Sequence, residues 1–516
     1  MERAKRYGFR LVRLFLAGCA LALWSTLVWH AAVLFPQTVL FNSDAATEVL
    51  YARHMAQTGA LLPDSWYFTT EMRLWHNSLI MAPLFLFISD MALVHTLAVA
   101  VTTALLYGAG LLFLRSLRAG RTVSLLGALL LVAPVSILSF EYYQSALYYS
   151  FFLLALLLMW AFMARALRRH MTVRRRWTWL LLCGALALVM GMCGIRYLEI
   201  FFLPLGGVAA LNILRDGPFK PDSWRRQALY LVLCTLGLAS YLVTALAQRA
   251  GLLPRGALSA PTFTQPGQLL QKFQETLTSY WVAGHSVGPG GALLWMAILA
   301  SALWLCLRYK ALCRACQDYL LFTLLANAVN ILVLTAVDFG GMVQYRYALL
   351  PYTLLWFLPP LAIADLLRAD GPAWTRRAAG GLAAAVVLCG GFGAYYNVLH
   401  MVTQPQVAAD RAAVVRYLEA EGYTFGYADY WDANVLTYLS NGAVEAVPVA
   451  VDPATGTLLP FPLGCPKDYF QPVPGREKKF LLLGPEEQAA AAPCGAPLYE
   501  NQTFSVYEAP SALLLP

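Results

Sequence analysis

FNSDAATEVLYARHMAQTGALLPDSWYFTTEMRLWHNSLI, residues 41–80, follows an apolar run from Leu11 to Leu34. It sets Asp44, Glu48, Arg53, Glu71 and Arg73 directly after that run, in a chain of which only 13% is charged and 59% hydrophobic. A soluble domain carries roughly a quarter charged residues. The run of about 24 residues is longer than the roughly 7–15 of a signal-peptide core and long enough to cross a bilayer. Residues 41–80 therefore read as a polar loop at a membrane surface, and the chain as a polytopic α-helical membrane protein.

The basic residues support this. The formal net charge is +9, and 24 of the 37 Lys and Arg fall in six segments: the N-terminus to Arg13, 115–121, 165–176, 215–226, 308–314 and 368–377. Bias of this kind orients membrane proteins, whereas a nucleic-acid site would be one patch on a folded domain. Nucleic acid is excluded as a partner. Apolar stretches at 11–34, 92–114, 122–140, 147–164, 178–194, 198–214, 228–247, 290–307, 319–337, 348–367 and 379–400 predict about eleven spans. With the N-terminus in the cytoplasm, all six basic segments lie inside. Loop 36–91 and everything after 400 then lie outside. Ser78–Ile88 is apolar but, at about eleven residues, too short to span, and is expected to lie on or dip into the outer face.

Composition shifts near residue 401. Residues 1–400 read as the membrane domain and 401–516 as a small extracytoplasmic α/β domain. Gln404–Gly422 has helical apolar spacing at Val407, Ala412, Val415 and Leu418. Strand-like TFGYADY, helical WDANVLTYLSNG stopped at Asn441-Gly442, and strands AVEAVPVAV, KFLLLG and TFSVYEA follow. Cys465 and Cys494 are the cysteine pair of this domain and are expected to form a disulfide. Cys313 and Cys316 form a CxxC on the cytoplasmic side, with no second pair or nearby His to make a zinc site.

The outer face gathers the remaining polar residues. Asp44, Glu48 and Tyr51 are spaced i, i+4, i+7 and share one face if 43–58 is a helix. Two carboxylates one turn apart repel unless something uses them; as alternatives, Asp44 or Ser43 caps the helix and Glu48 is solvated. Glu141 opens the next outer loop in SFEYYQ beside Tyr143, and an ionisable group at membrane level is a functional residue by default. Arg196 lies between two short spans, close to Glu199. Asp338 and Arg346 flank a span start in VDFGGMVQYRYALLPY. Arg346 is either a snorkelling anchor or a phosphate ligand, for which its forked donors suit it. Tyr67, Trp66, Trp75, His76, Trp281 and His285 could stack or hydrogen-bond.

In this order, the motifs resemble the GT-C superfamily of integral membrane glycosyltransferases. The branch is that of the protein mannosyltransferases and aminoarabinose transferases, glycosyltransferase family 39-like. The resemblance rests on SDAATEVLYARHMAQTGALLP after a first span, the dipping segment NSLIMAPLFLF, the acidic loop SFEYYQ, the late QYRYALLPY and the outer-domain VVRYLEAEGYTFGYADYWDANVLTYLSNG. The chain departs from the family in having Ser43-Asp44-Ala45 for a common Asp-Glu. It also lacks a Lys-Pro-Pro-like stretch, so Arg73 or His76 would take that Lys's place.

The resemblance implies transfer of a sugar from a polyprenyl phosphate to an acceptor glycan, lipid or protein outside the cell membrane. Asp44 would be the general base, with Glu141 assisting. Glu48, Tyr51, Arg73, His76, Tyr143, Arg196, Arg346 and Tyr347 would be substrate contacts, Arg346 holding the departing phosphate. Glu48 is the weaker partner of Asp44, because Glu141 can complete the pair. Cofactors are expected to be none beyond the lipid-linked sugar and membrane lipids, with no divalent metal. A flippase would need mid-bilayer charges and inverted repeats, and neither is evident. A non-catalytic assembly protein would leave Asp44 dispensable.

Overall fold

The computed structural model describes residues 2–38, 41–68, 72, 74–168, 170–217, 221–254, 262–285, 288–338, 345–368, 372–399, 403–452, 458–471, 478–484, 487 and 494–509. It is a helical membrane bundle carrying a small C-terminal sheet domain. Among the described residues, eight helices are long and apolar enough to cross a membrane, nine with one bent pair. The three other expected stretches are helical too, but bent, shorter or charged at one end. The stretch 122–140 is not one straight span: it bends by 86° between Arg121–Val132 and Ile137–Ser145, at Pro134. The stretch 147–164 becomes the 17-residue helix Ser150–Ala166. The stretch 178–194 lies in Val173–Met192, whose first turn holds Arg174, Arg175 and Arg176. Ser78–Phe85 is an eight-residue helix, about 12 Å long and too short to cross.

The span Arg346–Arg368 is the most enclosed of the eight, with 94% of its apolar window buried. Its prolines decide how it is held. Pro351 has no N–H for the carbonyl of Tyr347, so a neighbouring helix must supply a donor. Asn330 Nδ2 does so at 3.3 Å, and it also donates to Glu199 Oε1 at 2.6 Å. Where the helix breaks at Trp356 and Phe357, the Leu354 carbonyl accepts from Tyr319 Oη at 2.7 Å. Elsewhere small residues set the approach of helices. A Cβ on Gly237 would lie 2.3 Å from the Phe202 ring, so only glycine lets Pro221–Arg249 pack there.

The C-terminal domain is one six-stranded sheet in the order Leu458–Pro460, Glu445–Val451, Phe425–Asp429, Lys479–Leu483, Ser505–Glu508, Tyr499–Glu500. Its centre is parallel, Phe425 pairing with Glu445 on one side and Lys479 on the other; its edges are antiparallel. Side chains alternate between the two faces. Ala428, Ala446, Phe480, Leu482 and Val506 face the helices Pro405–Ala420 and Tyr430–Leu439. Tyr427, Val447, Leu481, Leu483 and Tyr507 pack on the opposite side.

Both cysteines of the domain belong to that second cluster, Cys465 buried and Cys494 at its margin. Burial holds the Cys465 thiol well above its ordinary pKa, so it resists ionisation and reaction. The shared cluster leaves the oxidised pair a proposal. Alkylation of the unfolded, unreduced protein should then modify neither; modification of both would refute the bond.

The domain is stitched to the membrane part through residues 37–67. Trp66 and Tyr67 pair as a short strand with Pro466 and Cys465. Thr38 bridges Thr403, and Asn434 Nδ2 donates to Thr47 Oγ1 at 2.7 Å. Gly464, at φ 63°, passes so close that a Cβ would meet Thr47 Cγ2 at 2.8 Å. The helix Ser43–Thr58 is thus held between the bundle and the sheet domain.

Candidate functional site

The site is built on three segments that converge beneath that domain: the helix Ser43–Thr58, the turn Phe140–Ser145 and the start of Arg346–Leu355. Asn42, not Asp44 or Ser43, caps the first helix, its Oδ1 accepting from the Ala45 N–H at 3.1 Å. The Asp44 carboxylate is therefore not spent on the backbone. Its Oδ2 lies 3.5 Å from Arg346 Nη1, and its Oδ1 accepts a hydrogen bond from the Tyr430 hydroxyl. The two ion-pair side chains keep 26% and 30% of their surface exposed, so the pair is reachable by a ligand. Glu141 is half-buried on a π-helical turn, a local widening often found at functional sites. Asp44 and Arg346 are the charges that act on it.

Arg346 stacks over the Tyr347 ring at 5.6 Å, and Tyr142 and Tyr149 are its other polar neighbours. Arg196 approaches the same tyrosine. It lies 5.2 Å from the Tyr347 ring, 4.5 Å from that of Tyr149 and 5.2 Å from that of Phe152. Cation–π contacts of this kind hold a guanidinium without consuming its N–H donors. Two carboxylates, two guanidiniums and a set of phenols thus share one region.

Other predicted contacts are placed differently. Glu48 shares the helix with Asp44 but is 1% exposed, and its Oε2 lies 2.9 Å from His76 Nε2. The next residue, Asn77, is fully buried, donates to the Leu147 carbonyl and accepts from Ser150 Oγ at 3.0 Å. Glu48 and His76 thus anchor the loop after residue 72 to the bundle. Tyr51 is buried against Trp66 and Phe68, its hydroxyl donating to the Leu61 carbonyl at 3.2 Å. Tyr143 is buried with its hydroxyl 2.9 Å from Thr353 Oγ1. Arg73 and Glu71 lie outside the described residues. Asp338 is engaged by Lys272 at 3.5 Å. Among the described residues, no three His, Cys, Asp or Glu side chains are grouped to hold a metal.

Tyr430 is the site residue that sequence reading missed. It opens the helix Tyr430–Leu439, capped by Asp429 and tied down by the Arg411–Asp432 pair at 2.7 Å. Its hydroxyl reaches Asp44 from 386 positions away, a contact no local periodicity signals. A hydrogen bond to a charged group contributes about 1.5–3 kcal/mol. Tyr430→Phe should lower any rate that depends on Asp44 by roughly ten- to a hundredfold, through kcat rather than KM. An unchanged kcat would show that Tyr430 does not position Asp44.

The fold that holds this site is shared with solved structures of ArnT. Among solved structures, ArnT from Cupriavidus metallidurans in the apo state matches over 98% of this chain and 98% of its own, at a TM-score of 0.59 and 13% identity. The same protein bound to undecaprenyl phosphate matches over 98% and 99%, at 0.56 and 12%. At that identity the likeness is one of fold. No family model and no curated protein matches the chain in sequence.

Proposed function

We propose that this protein is a membrane glycosyltransferase that moves a sugar from a polyprenyl phosphate to an acceptor hydroxyl on the extracytoplasmic side. The observation that carries the proposal is the accessible Asp44–Arg346 pair, with Glu141 beside it, in a fold shared with a protein crystallised with undecaprenyl phosphate. The basic segments support a cytoplasmic N-terminus and an extracytoplasmic C-terminal domain.

In the reaction, the acceptor oxygen bonds to the anomeric carbon of the sugar while the bond from that carbon to the lipid phosphate oxygen breaks. Asp44 takes the acceptor proton, and the released electron pair stays on the phosphate. Arg346 stabilises that charge, and Arg196, held on the same tyrosine, adds a second positive charge. Glu141 orients the acceptor. The phosphate is already a competent leaving group, so the proposal assigns no metal and no nucleotide. Glu48 and His76 hold the loop rather than the substrate.

The binding half of this proposal is testable without knowing the sugar. Wild-type protein in nanodiscs should bind undecaprenyl phosphate, and Arg346→Ala should weaken binding. A charge-assisted hydrogen bond of about 1.5–3 kcal/mol corresponds to a loss of roughly ten- to a hundredfold. Equal affinity would remove Arg346 from the phosphate site.

A further inference from the structure

At the far end of the bundle lies a cysteine pair that the transfer reaction does not use. The span that begins at Arg346 ends at Arg368, about 35 Å away along a helix. There Cys313 caps the helix Arg314–Ala336, and Cys316 is its third residue. Their sulfurs are 3.3 Å apart. Cys313 is half-buried and reachable, whereas Cys316 is buried and its thiol donates to the Leu117 carbonyl at 3.3 Å.

The surroundings favour a thiolate at the outer cysteine. Hydrogen bonding with Cys316, then the charges of Arg118 and Arg368, hold the Cys313 thiol below its usual range. The helix N-terminus acts in the same direction. Arg368 also donates to the Arg118 carbonyl, which ties its guanidinium to the turn beside the sulfur. A half-buried but reachable cysteine of lowered pKa, three residues before a buried one at a helix start, suits thiol–disulfide exchange.

We propose that Cys313 and Cys316 are a redox-active dithiol that closes to a disulfide by exchange with a low-molecular-weight disulfide. The Cys313 thiolate attacks one sulfur of the soluble disulfide and expels the first thiolate. Cys316 then loses its proton, attacks Cys313 Sγ and expels the second. Two protein thiols are oxidised, and one soluble disulfide is reduced to two thiols. Closure removes the Cys316 donor from the Leu117 carbonyl, in the turn joining the helices Met91–Ser116 and Arg121–Val132.

The test uses the full-length protein in detergent with glutathione and glutathione disulfide as the probe. After acid quenching and alkylation, mass spectrometry should show the two cysteines oxidising together as the ratio rises. Cys316→Ser should accumulate glutathione on Cys313, and Cys313→Ser should acquire none on Cys316. In the wild type, iodoacetamide at pH 7 should label Cys313 at least about tenfold faster than an ordinary thiol. Free glutathione, alkylated in parallel, serves as that reference. A Cys313 rate no greater than that of glutathione, or no closed pair at any glutathione ratio, overturns the proposal. If Cys316→Ser fails to fold, these two wild-type measurements decide alone.

Discussion

Asp44→Asn is expected to lower sugar transfer by about a hundred- to ten-thousandfold, the usual contribution of a positioned general base. The substitution is close to isosteric. It keeps an acceptor for the Tyr430 hydroxyl and removes the negative charge and the ability to take a proton. The structural cost should be small. The Asp44–Arg346 pair is partly exposed at 3.5 Å, and pairs of that kind contribute about 0–1 kcal/mol. Loss of rate with normal folding and retained undecaprenyl phosphate binding is therefore the expected pattern. Transfer at the wild-type rate would show that Asp44 is not the base. Loss of lipid binding along with the rate would place Asp44 in ground-state binding instead.

The second large effect concerns stability and lies in the same half of the molecule as the dithiol. Asp318 is fully buried and is held by Arg226 Nη1 at 2.9 Å, Tyr230 Oη at 3.0 Å and Asn212 Nδ2 at 2.9 Å. Arg226→Ala leaves that carboxylate with two neutral donors and without its hydrogen-bonded counter-charge. Breaking a buried pair from one side costs about 3–5 kcal/mol. Arg226→Ala should therefore unfold in detergent at markedly lower temperature than the wild type. The double variant Arg226→Met, Asp318→Leu should recover most of the loss, because apolar replacement of both partners is often neutral. A single variant as stable as the wild type would show that the pair does not hold these helices together.

Much of the fold is legible in the sequence because single segments carry it. The helices Pro405–Ala420 and Tyr430–Leu439 and the strands Phe425–Asp429, Glu445–Val451, Lys479–Leu483 and Ser505–Glu508 fall where periodicity places them. The stop at Asn441-Gly442 has both residues at positive φ, 52° and 81°. What periodicity overstates is continuity: Pro134 turns one expected span into a bent pair.

The site is legible in part, for a related reason. Asp44, Glu141 and Arg346 are charges in an apolar chain, and the structure brings them together. The i, i+4 spacing of Asp44 and Glu48, taken alone, makes the two equal candidates. The burial of Glu48 against His76 depends on a loop folding back, and spacing along one helix cannot show that. Tyr430 and Arg226 act through long-range packing and carry no local pattern. Asp318 did carry one, an acidic residue at the start of an apolar span, which by itself points to a buried partner.

The most direct measurement is a structure of this protein with undecaprenyl phosphate bound. The account predicts the phosphate within hydrogen-bonding distance of Arg346, the Asp44–Arg346 contact displaced, and the Asp44 carboxylate turned toward the position an acceptor would take. A phosphate bound away from Arg346, with the Asp44–Arg346 pair intact, would contradict it.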